Sequence, residues 1–449
     1  MRAAGLNAIQ FYIPWNFHEV YEGISRFDGS RNVTHFLSLA AGNELYALVR
    51  YAVSHRSLIA TFYSECVTVF STAIEHDSES TSFIGLVQIH VDCRIGPYIC
   101  GEWENGGLPW WLLKYENIRM RTSDVRFLDA VKKWFDVLLP QLKPSLRKNG
   151  GPILMLQVEN EYGSFAEGCD QAYTTFLRDL TRKHLGDDVL LYTTDGADDH
   201  YLRCGSIPGV FTTVDFGPTS RARIDSSFAA QRRFEPDGPL VNSEFYPGWI
   251  VTWHQKGRVD PSVHDIMNGS MYMFELGASF NYYMFFGGTN FAFWNGAETT
   301  SAVITSYDYF APLTEAADIS EKFIAIRDWI KNIEGWPNPP KSMPKNNPYV
   351  LNFYHHNLLL TLYTSMNKFI HLLIYLVKLL RKAAYGAVSM QKSKLLDSDS
   401  KNFPGFVAYR SRLLKSGGNL TISVIKDHGY IFVGENYQVI GLLRLNYIL

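Results

Sequence analysis

An α/β fold built as a (β/α)8 barrel, with its first strand missing and a small, truncated β domain after it, is the fold class predicted by three observations. Seven short β-rich runs recur between residues 8 and 286, and helical patterns separate most of them. Strands alternating with helices imply a parallel sheet. The runs end at Gly, Asp, Glu or Asn, as expected where functional groups gather on the loops that follow barrel strands. A doubly wound sheet is the alternative, but no G-x-G-x-x-G follows an early strand, so the phosphate-cradling turn of that fold is absent.

The first run, Ala8 to Pro14, alternates apolar and polar residues. The second, Val87 to Tyr98, follows a connection far longer than such units need. That connection, about residues 41–84, continues from a helical segment into Ser54-His55-Arg56-Ser57 and the acidic Glu75-His76-Asp77-Ser78-Glu79 patch, and reads as an insertion. Ile153 to Val158, Val189 to Thr194, Val210 to Phe216, Leu240 to Phe245 and Phe280 to Phe286 complete the strands. Between them, Asp124 to Leu139 places Val125, Leu128, Val131, Phe135 and Leu138 at helical spacing, and Ala172 to Leu185 forms a second helix. Pro337-Asn338-Pro339-Pro340 ends this region. The expected organisation is a catalytic barrel over 1–336, a linker and irregular insertion over 337–382, and a partial β-sandwich-like domain over 383–449. In the last part, Phe406 to Arg410 and Leu420 to Val424 alternate as antiparallel strands do.

The chain has 449 residues, with 42 Lys+Arg against 44 Asp+Glu. No basic field for nucleic acid or an anionic membrane follows from that balance, which suits a neutral substrate. Leu358 to Leu380 is the most apolar stretch, but Lys368, His371 and Lys378 interrupt it. A spanning helix needs about 20 predominantly apolar residues, so no membrane span is predicted. Met1 to Gly5 runs straight into Asn7-Ala8-Ile9 without an apolar h-region or cleavage site, so no signal peptide is predicted in this chain. The cysteines, Cys66, Cys93, Cys100, Cys169 and Cys204, include no C-x-x-C pair. His18, His254 and His264 form no ligand spacing, so neither a metal nor a cofactor is expected.

Two segments carry the chemistry. Ile153-Leu154-Met155-Leu156-Gln157-Val158 delivers Glu159-Asn160-Glu161-Tyr162 at its end, and Val241-Asn242-Ser243 delivers Glu244, followed by Tyr246 and Trp249. Glycoside hydrolysis needs one carboxyl as proton donor and a second as nucleophile or base, and carboxyls about 5 to 5.5 Å apart make the reaction retaining. Glu244 is the expected nucleophile, but spacing alone leaves Glu159 and Glu161 open as the acid. An isolated E-N-E triplet is more often a salt-bridged strand end. The second segment, with rings able to pack on an apolar sugar face, shifts that balance.

These segments resemble the glycoside hydrolase family 35 β-galactosidases. The resemblance extends to Gly5-Leu6-Asn7-Ala8-Ile9-Gln10, Pro14-Trp15-Asn16-Phe17-His18-Glu19, Gly96-Pro97-Tyr98-Ile99-Cys100-Gly101-Glu102-Trp103-Glu104, Gly287-Gly288-Thr289-Asn290-Phe291 and Ser306-Tyr307-Asp308-Tyr309. It implies Glu161 as acid/base and Glu244 as nucleophile of a retaining exo-β-galactosidase acting on β-galactoside-containing oligosaccharides or glycoconjugates. Asn160 would bind the 2-hydroxyl, Tyr12, Cys100, Gly101, Glu102, Tyr283 and Tyr309 would line the galactose pocket, and Trp249 would carry the sugar ring. Cys169 and Cys204 match a disulfide pair of lysosomal members. A lysosomal or secreted setting and a homodimer are further implications. The family pattern also has a first strand with an Ile-His-Tyr-type segment, which this chain lacks. A catalytically impaired, galactose-binding fragment is therefore the alternative expectation.

Overall fold

The protein is described here from a computed structural model. It describes residues 1–50, 87–89, 93–94, 96–166, 168–298 and 301–343, together with 419–422, 429–433, 436–441 and 445–448. The chain divides into a unit over Met1–Lys345 and another over Asn346–Leu449.

In the first unit the strands are β1 (Ala8–Gln10), β2 (Tyr46–Arg50), β3 (Val87–Ile89), β4 (Cys93–Arg94), β5 (Ile153–Gln157), β6 (Leu191–Gly196), β7 (Phe211–Asp215), β8 (Val241–Phe245) and β9 (Ser279–Tyr282). They form one curled parallel sheet in the order β1-β2-β5-β6-β7-β8-β9-β3, with β4 beside β2. This is the barrel-like α/β architecture that alternating strands and helices predict.

Two strand expectations need correction. Tyr46–Arg50 does not belong to an insertion: Ile9 pairs with Ala47 on one side, and Ala47 and Leu48 pair with Ile153 and Met155 on the other. A five-residue apolar run after a helix cannot be told from more helix by periodicity, which is why the sequence hides it. Val87 to Tyr98 is not one strand. Val87–Ile89 pairs with β9 through Phe280, Asn281 and Tyr282, while Cys93–Arg94 pairs with Val49 and Arg50 of β2. β3 also lies against β1. It covers the edge of β9 that a missing first strand was expected to leave bare, and unpaired edges are the liability of an open sheet.

The helices are α1 (Trp15–His18), α2 (Val33–Gly42), α3 (Val125–Leu142), α4 (Gln171–Leu185), α5 (Asp199–Gly205), α6 (Arg221–Phe234), α7 (Val263–Glu275) and α8 (Glu321–Lys331). Side chains of Asn32, Asp124, Asp170, Asp198, Ser220, Ser262 and Ser320 accept backbone N–H groups at the starts of α2 to α8, satisfying donors that a helix start leaves unpaired. α3 buries Phe127, Val131, Trp134, Phe135 and Leu138; of the face its spacing predicts, Val131, Phe135 and Leu138 are buried, whereas Leu128 is half-buried and Val125 exposed. Trp134 stacks on Trp15 with ring centroids 5.9 Å apart.

Inside the curl, polar residues alternate into a hydrogen-bonded floor. Gln10 donates to Tyr192 Oη at 2.7 Å, Ser243 Oγ lies 2.8 Å from Thr194 and 2.7 Å from Thr213, and Asn281 donates to Ser243 O at 2.6 Å. Buried polar groups stay only when paired in this way. Above this floor the strands open into the candidate site.

In the second unit, β10 (Asn419–Ile422) pairs antiparallel with β13 (Leu445–Ile448), and β11 (Gly429–Val433) with β12 (Asn436–Gly441). Phe406 to Arg410, Cys66 and the apolar Leu358 to Leu380 lie outside the described residues. No described helix is long and apolar enough to cross a membrane.

His18 is a core residue. It stacks on Phe27 at 4.6 Å, and its Nδ1 lies 2.9 Å from Arg26 O. Burial, against that backbone bond, pushes its pKa from 6.5 down to about 4. The unfolded chain takes up this proton near pH 6.5 while the folded one waits until about pH 4. His18 therefore costs stability progressively as pH falls through that window, up to about 3 kcal/mol. Urea unfolding of His18→Gln and wild type, at neutral pH and near pH 4, should show the variant losing about 2 kcal/mol less across the interval. Equal losses would return His18 to the surface.

Candidate active site

The end of β5 sends its two neighbouring glutamates in different directions. Glu159 turns back into the core, where Arg121 grips both its oxygens at 3.1 and 2.7 Å, Tyr173 Oη donates at 2.6 Å and Asn160 N at 2.8 Å. Arg121 also donates to Asn160 O at 2.9 Å, and its guanidinium lies 3.7 Å from the centre of the Tyr98 ring and 4.6 Å from that of Phe165. A carboxylate with four donors is a structural anion. The residues on this turn adopt left-handed φ values, 58° at Glu159 and 44° at Glu161. The turn sends Glu161 the other way, with its N–H donated to Thr194 O at 3.0 Å and its Oε2 receiving Asn160 Nδ2 at 3.0 Å.

Glu161 and Glu244 line one cavity of about 380 Å³, together with Asn160, Cys100, Glu102 and Tyr283. Trp249 and Tyr309 belong to the same lining. A larger cavity of about 500 Å³, beside Arg221 and Asn268, contains none of the strand-end carboxyls and is not the candidate site.

A chain of phenols ends on a carboxylate beside the cavity: Glu102 and Tyr283 line it, whereas Tyr12, Gly101 and Tyr307 are not in the lining. Tyr12 Oη contacts Tyr283 Oη, which lies 3.5 Å from Tyr307 Oη, and Tyr307 donates to Glu102 Oε2. Cys100 Sγ is 3.8 Å from Glu102 Oε1. Gly101 lies so close to the Tyr12 ring that a Cβ there would sit 3.0 Å from Cζ. Trp249 is edge-on to Tyr246 at 5.0 Å and 6.0 Å from the Tyr309 ring, and both of those rings in turn pack edge-on to Tyr283, at 5.9 and 5.6 Å. At 36% exposure, part of the Trp249 ring remains available to a ligand. Cys100, Glu102 and Tyr309 also hold left-handed backbone, at φ 54°, 42° and 62°. Such positions cost about 1 to 3 kcal/mol each and concentrate at functional sites.

Acid accumulates between the two glutamates. Asp195 ends β6 and accepts from Gly163 N at 2.7 Å, while its Oδ2 is buried with no partner. Gly205 of α5 makes room for it, since a Cβ there would collide with that carboxyl at 1.8 Å. Asp215 ends β7 with its Oδ1 3.1 Å from Tyr246 Oη, and its Oδ2 is likewise buried and unpartnered. Burial first, then neighbouring acid groups, holds both aspartic acids well above the usual carboxylate range. Burial and the nearby Asp215, Glu244 and Glu161 do the same to the Tyr246 phenol. Nearby, Cys169 and Cys204 form a disulfide, with Cα atoms 5.0 Å apart, that joins the start of α4 to α5. Among the described residues no three metal-ligating side chains come together.

Arg121, Asp195, Asp215 and Tyr307 belong to this site although the sequence reading passes over them. The two aspartates could have been found, because each ends a strand that the sequence reading identifies. Arg121 lies in a loop, with nothing in its neighbours to mark it.

The family model for glycosyl hydrolases family 35 matches residues 1–53 and 77–333. The chain belongs to this family. As a family 35 member it is 40% identical to a beta-galactosidase of Felis catus, over 100% of this chain and 58% of that one. It is 45% identical to a beta-galactosidase of Homo sapiens over 78% of this chain and 44% of the relative, and 44% identical to a beta-galactosidase-1-like protein of Mus musculus over 77% and 46%. The chain spans about half the length of the curated relatives it matches. The family match includes Tyr46–Arg50 and skips residues 54–76.

Removing one partner of a buried ion pair leaves the other uncompensated, at a cost of about 3 to 5 kcal/mol. Arg121→Met should lose that much in urea unfolding, and adding Glu159→Gln should recover part of it. Additive losses would show that the two residues are not coupled.

Proposed function

We propose that this chain is a retaining exo-β-galactosidase that removes terminal non-reducing β-D-galactose from oligosaccharides and glycoconjugates. The observation that carries the reading is that Glu161 and Glu244 line one cavity while Glu159 is tied into the core. Glu244 Oε attacks the anomeric carbon as the bond to the leaving oxygen breaks, and Glu161 delivers its proton to that oxygen. Glu161 then takes a proton from water, which attacks the same carbon and releases Glu244, giving net retention. Asn160, bound to Glu161 Oε2, is placed to hold the 2-hydroxyl, and Trp249 to stack on the apolar sugar face.

Exo action is supported by Tyr283 and Glu102, which line the cavity and are tied through hydroxyl contacts to Tyr12 and Tyr307. Cys100 and Tyr309 share that lining, and Gly101 lies against the Tyr12 ring. The relatives are named beta-galactosidases, which supports galactose as the sugar. The Cys169–Cys204 disulfide suits an oxidising compartment, in keeping with a lysosomal or secreted setting.

The full chain should hydrolyse a chromogenic β-galactoside, with the β anomer appearing first by NMR. Glu161→Gln should lower turnover of substrates with poor leaving groups by about 10²- to 10⁴-fold, and activated aryl galactosides by much less. Glu244→Gln should fall to background on both. Absence of activity in the wild type, or equal activity in Glu244→Gln, would overturn the assignment and favour a galactose-binding role.

A further inference from the structure

Tyr246 stands between two carboxyls with one hydrogen to give. Its Oη lies 3.1 Å from Asp215 Oδ1 and 3.2 Å from Glu244 Oε2, so both are at hydrogen-bond distance. If both carboxyls were ionised, one of these contacts would set two oxygens together without a proton. The arrangement therefore needs a second proton on one of the acids.

The sheet says which acid carries it. Asp215 lies on β7, between β6 and β8, and is paired in register with Gly196 on one side and Glu244 on the other. It is buried, Tyr246 is its side chain's hydrogen-bond partner, and its second oxygen has none. The titratable groups facing it are Glu161 from the end of β5, Asp195 from β6, and Glu244 and Tyr246 from β8 and its following loop, and all become negative on ionising. A buried anion with one shared donor among acids is poorly supported, and one member of such a cluster keeps its proton.

We propose that Asp215 is a protonated positioning residue: its carboxyl donates to Tyr246 Oη, which in turn donates to Glu244 Oε2 and holds the nucleophile aimed at the sugar. This role rests on the assignment of Glu244 as nucleophile. Two hydrogens then serve two contacts in one direction, Asp215 to Tyr246 to Glu244. Asp215 touches no substrate atom and acts through the phenol. The usual advantage of an acid, its charge, is what this position must avoid, because a second anion would turn the phenol away from Glu244.

Asparagine mimics the neutral acid, since its amide can still donate to Tyr246, whereas leucine cannot. A 2-fluoro-galactoside that traps the glycosyl–enzyme reads the first chemical step directly, and mass spectrometry locates the label. With wild type labelled on Glu244, Asp215→Asn should lose less than about tenfold in labelling rate and keep the acidic limb of the pH profile in place. Asp215→Leu should lose about 100-fold and displace that limb, because the attacking carboxylate has lost an oriented donor. Infrared difference spectra of wild type against Asp215→Asn, at neutral pH, should show the carbonyl stretch of one neutral carboxyl disappearing. If Asp215→Leu does not fold, the infrared difference and the Asp215→Asn profile decide. Equal damage in both variants, an Asp215→Asn limb that shifts, or an unchanged carbonyl band would overturn the role of Asp215 alone. A wild type that takes no label on Glu244 would overturn the glycosidase assignment, and this role with it.

Discussion

The buried contact between Arg121 and Glu159 governs the mouth of the sheet. Four donors converge on one carboxylate, from Arg121, Tyr173 and Asn160. Replacing a buried ion pair by apolar residues is often neutral or even stabilising, so its value here is directional rather than energetic. By drawing Glu159 inward, it sets the left-handed turn at the end of β5, and that turn sends Glu161 outward toward Glu244. The aromatic faces of Tyr98 and Phe165 pack on the guanidinium, and Arg121 and Tyr98 both reach the lining of the cavity.

Around that turn the site spends stability in several places. Asp195 and Asp215 are buried with an orphaned oxygen each, and Cys100, Glu102 and Tyr309 sit in left-handed backbone. Each is an expense that a purely structural strand end would avoid. The floor of Gln10, Thr194, Thr213, Ser243 and Asn281 lies beneath them with its hydrogen bonds made except at Asn281 Oδ1. A paired polar layer below and a loaded acidic layer above is a reasonable division of labour, since the lower layer keeps the strands in register while the upper one holds groups close that repel when charged.

Much of the site was legible because its residues fall at the ends of apolar runs. Glu161, Glu244 and Asn160 announce themselves as polar groups where a buried strand stops. Glu102, Tyr283 and Tyr309 needed the family resemblance, since a tyrosine in an aromatic run reads equally well as core. Tyr307 escaped notice two residues before Tyr309, although its hydroxyl is what reaches Glu102. Arg121 could not be found at all, as a lone arginine in a loop has no local pattern. The fold was legible in its alternation and misread where length decides: Tyr46–Arg50 was too short to separate from helix, and Val87 to Tyr98 looked continuous although its two ends pair with different strands.

By itself, the order of residues determined which segments are strands or helices for most of the barrel-like unit, and which acids stand at strand ends, because periodicity and burial are local properties. The tertiary structure alone took Glu159 into the core and left Glu161 on the cavity, since that separation depends on Arg121, 38 residues away from Glu159 in the chain. It alone also brought Asp215 beside Glu244 through the pairing of β7 with β8. Hydrogen-bond partners and shared protons are relations between distant residues, and only a folded chain places them within 3 Å or so of one another.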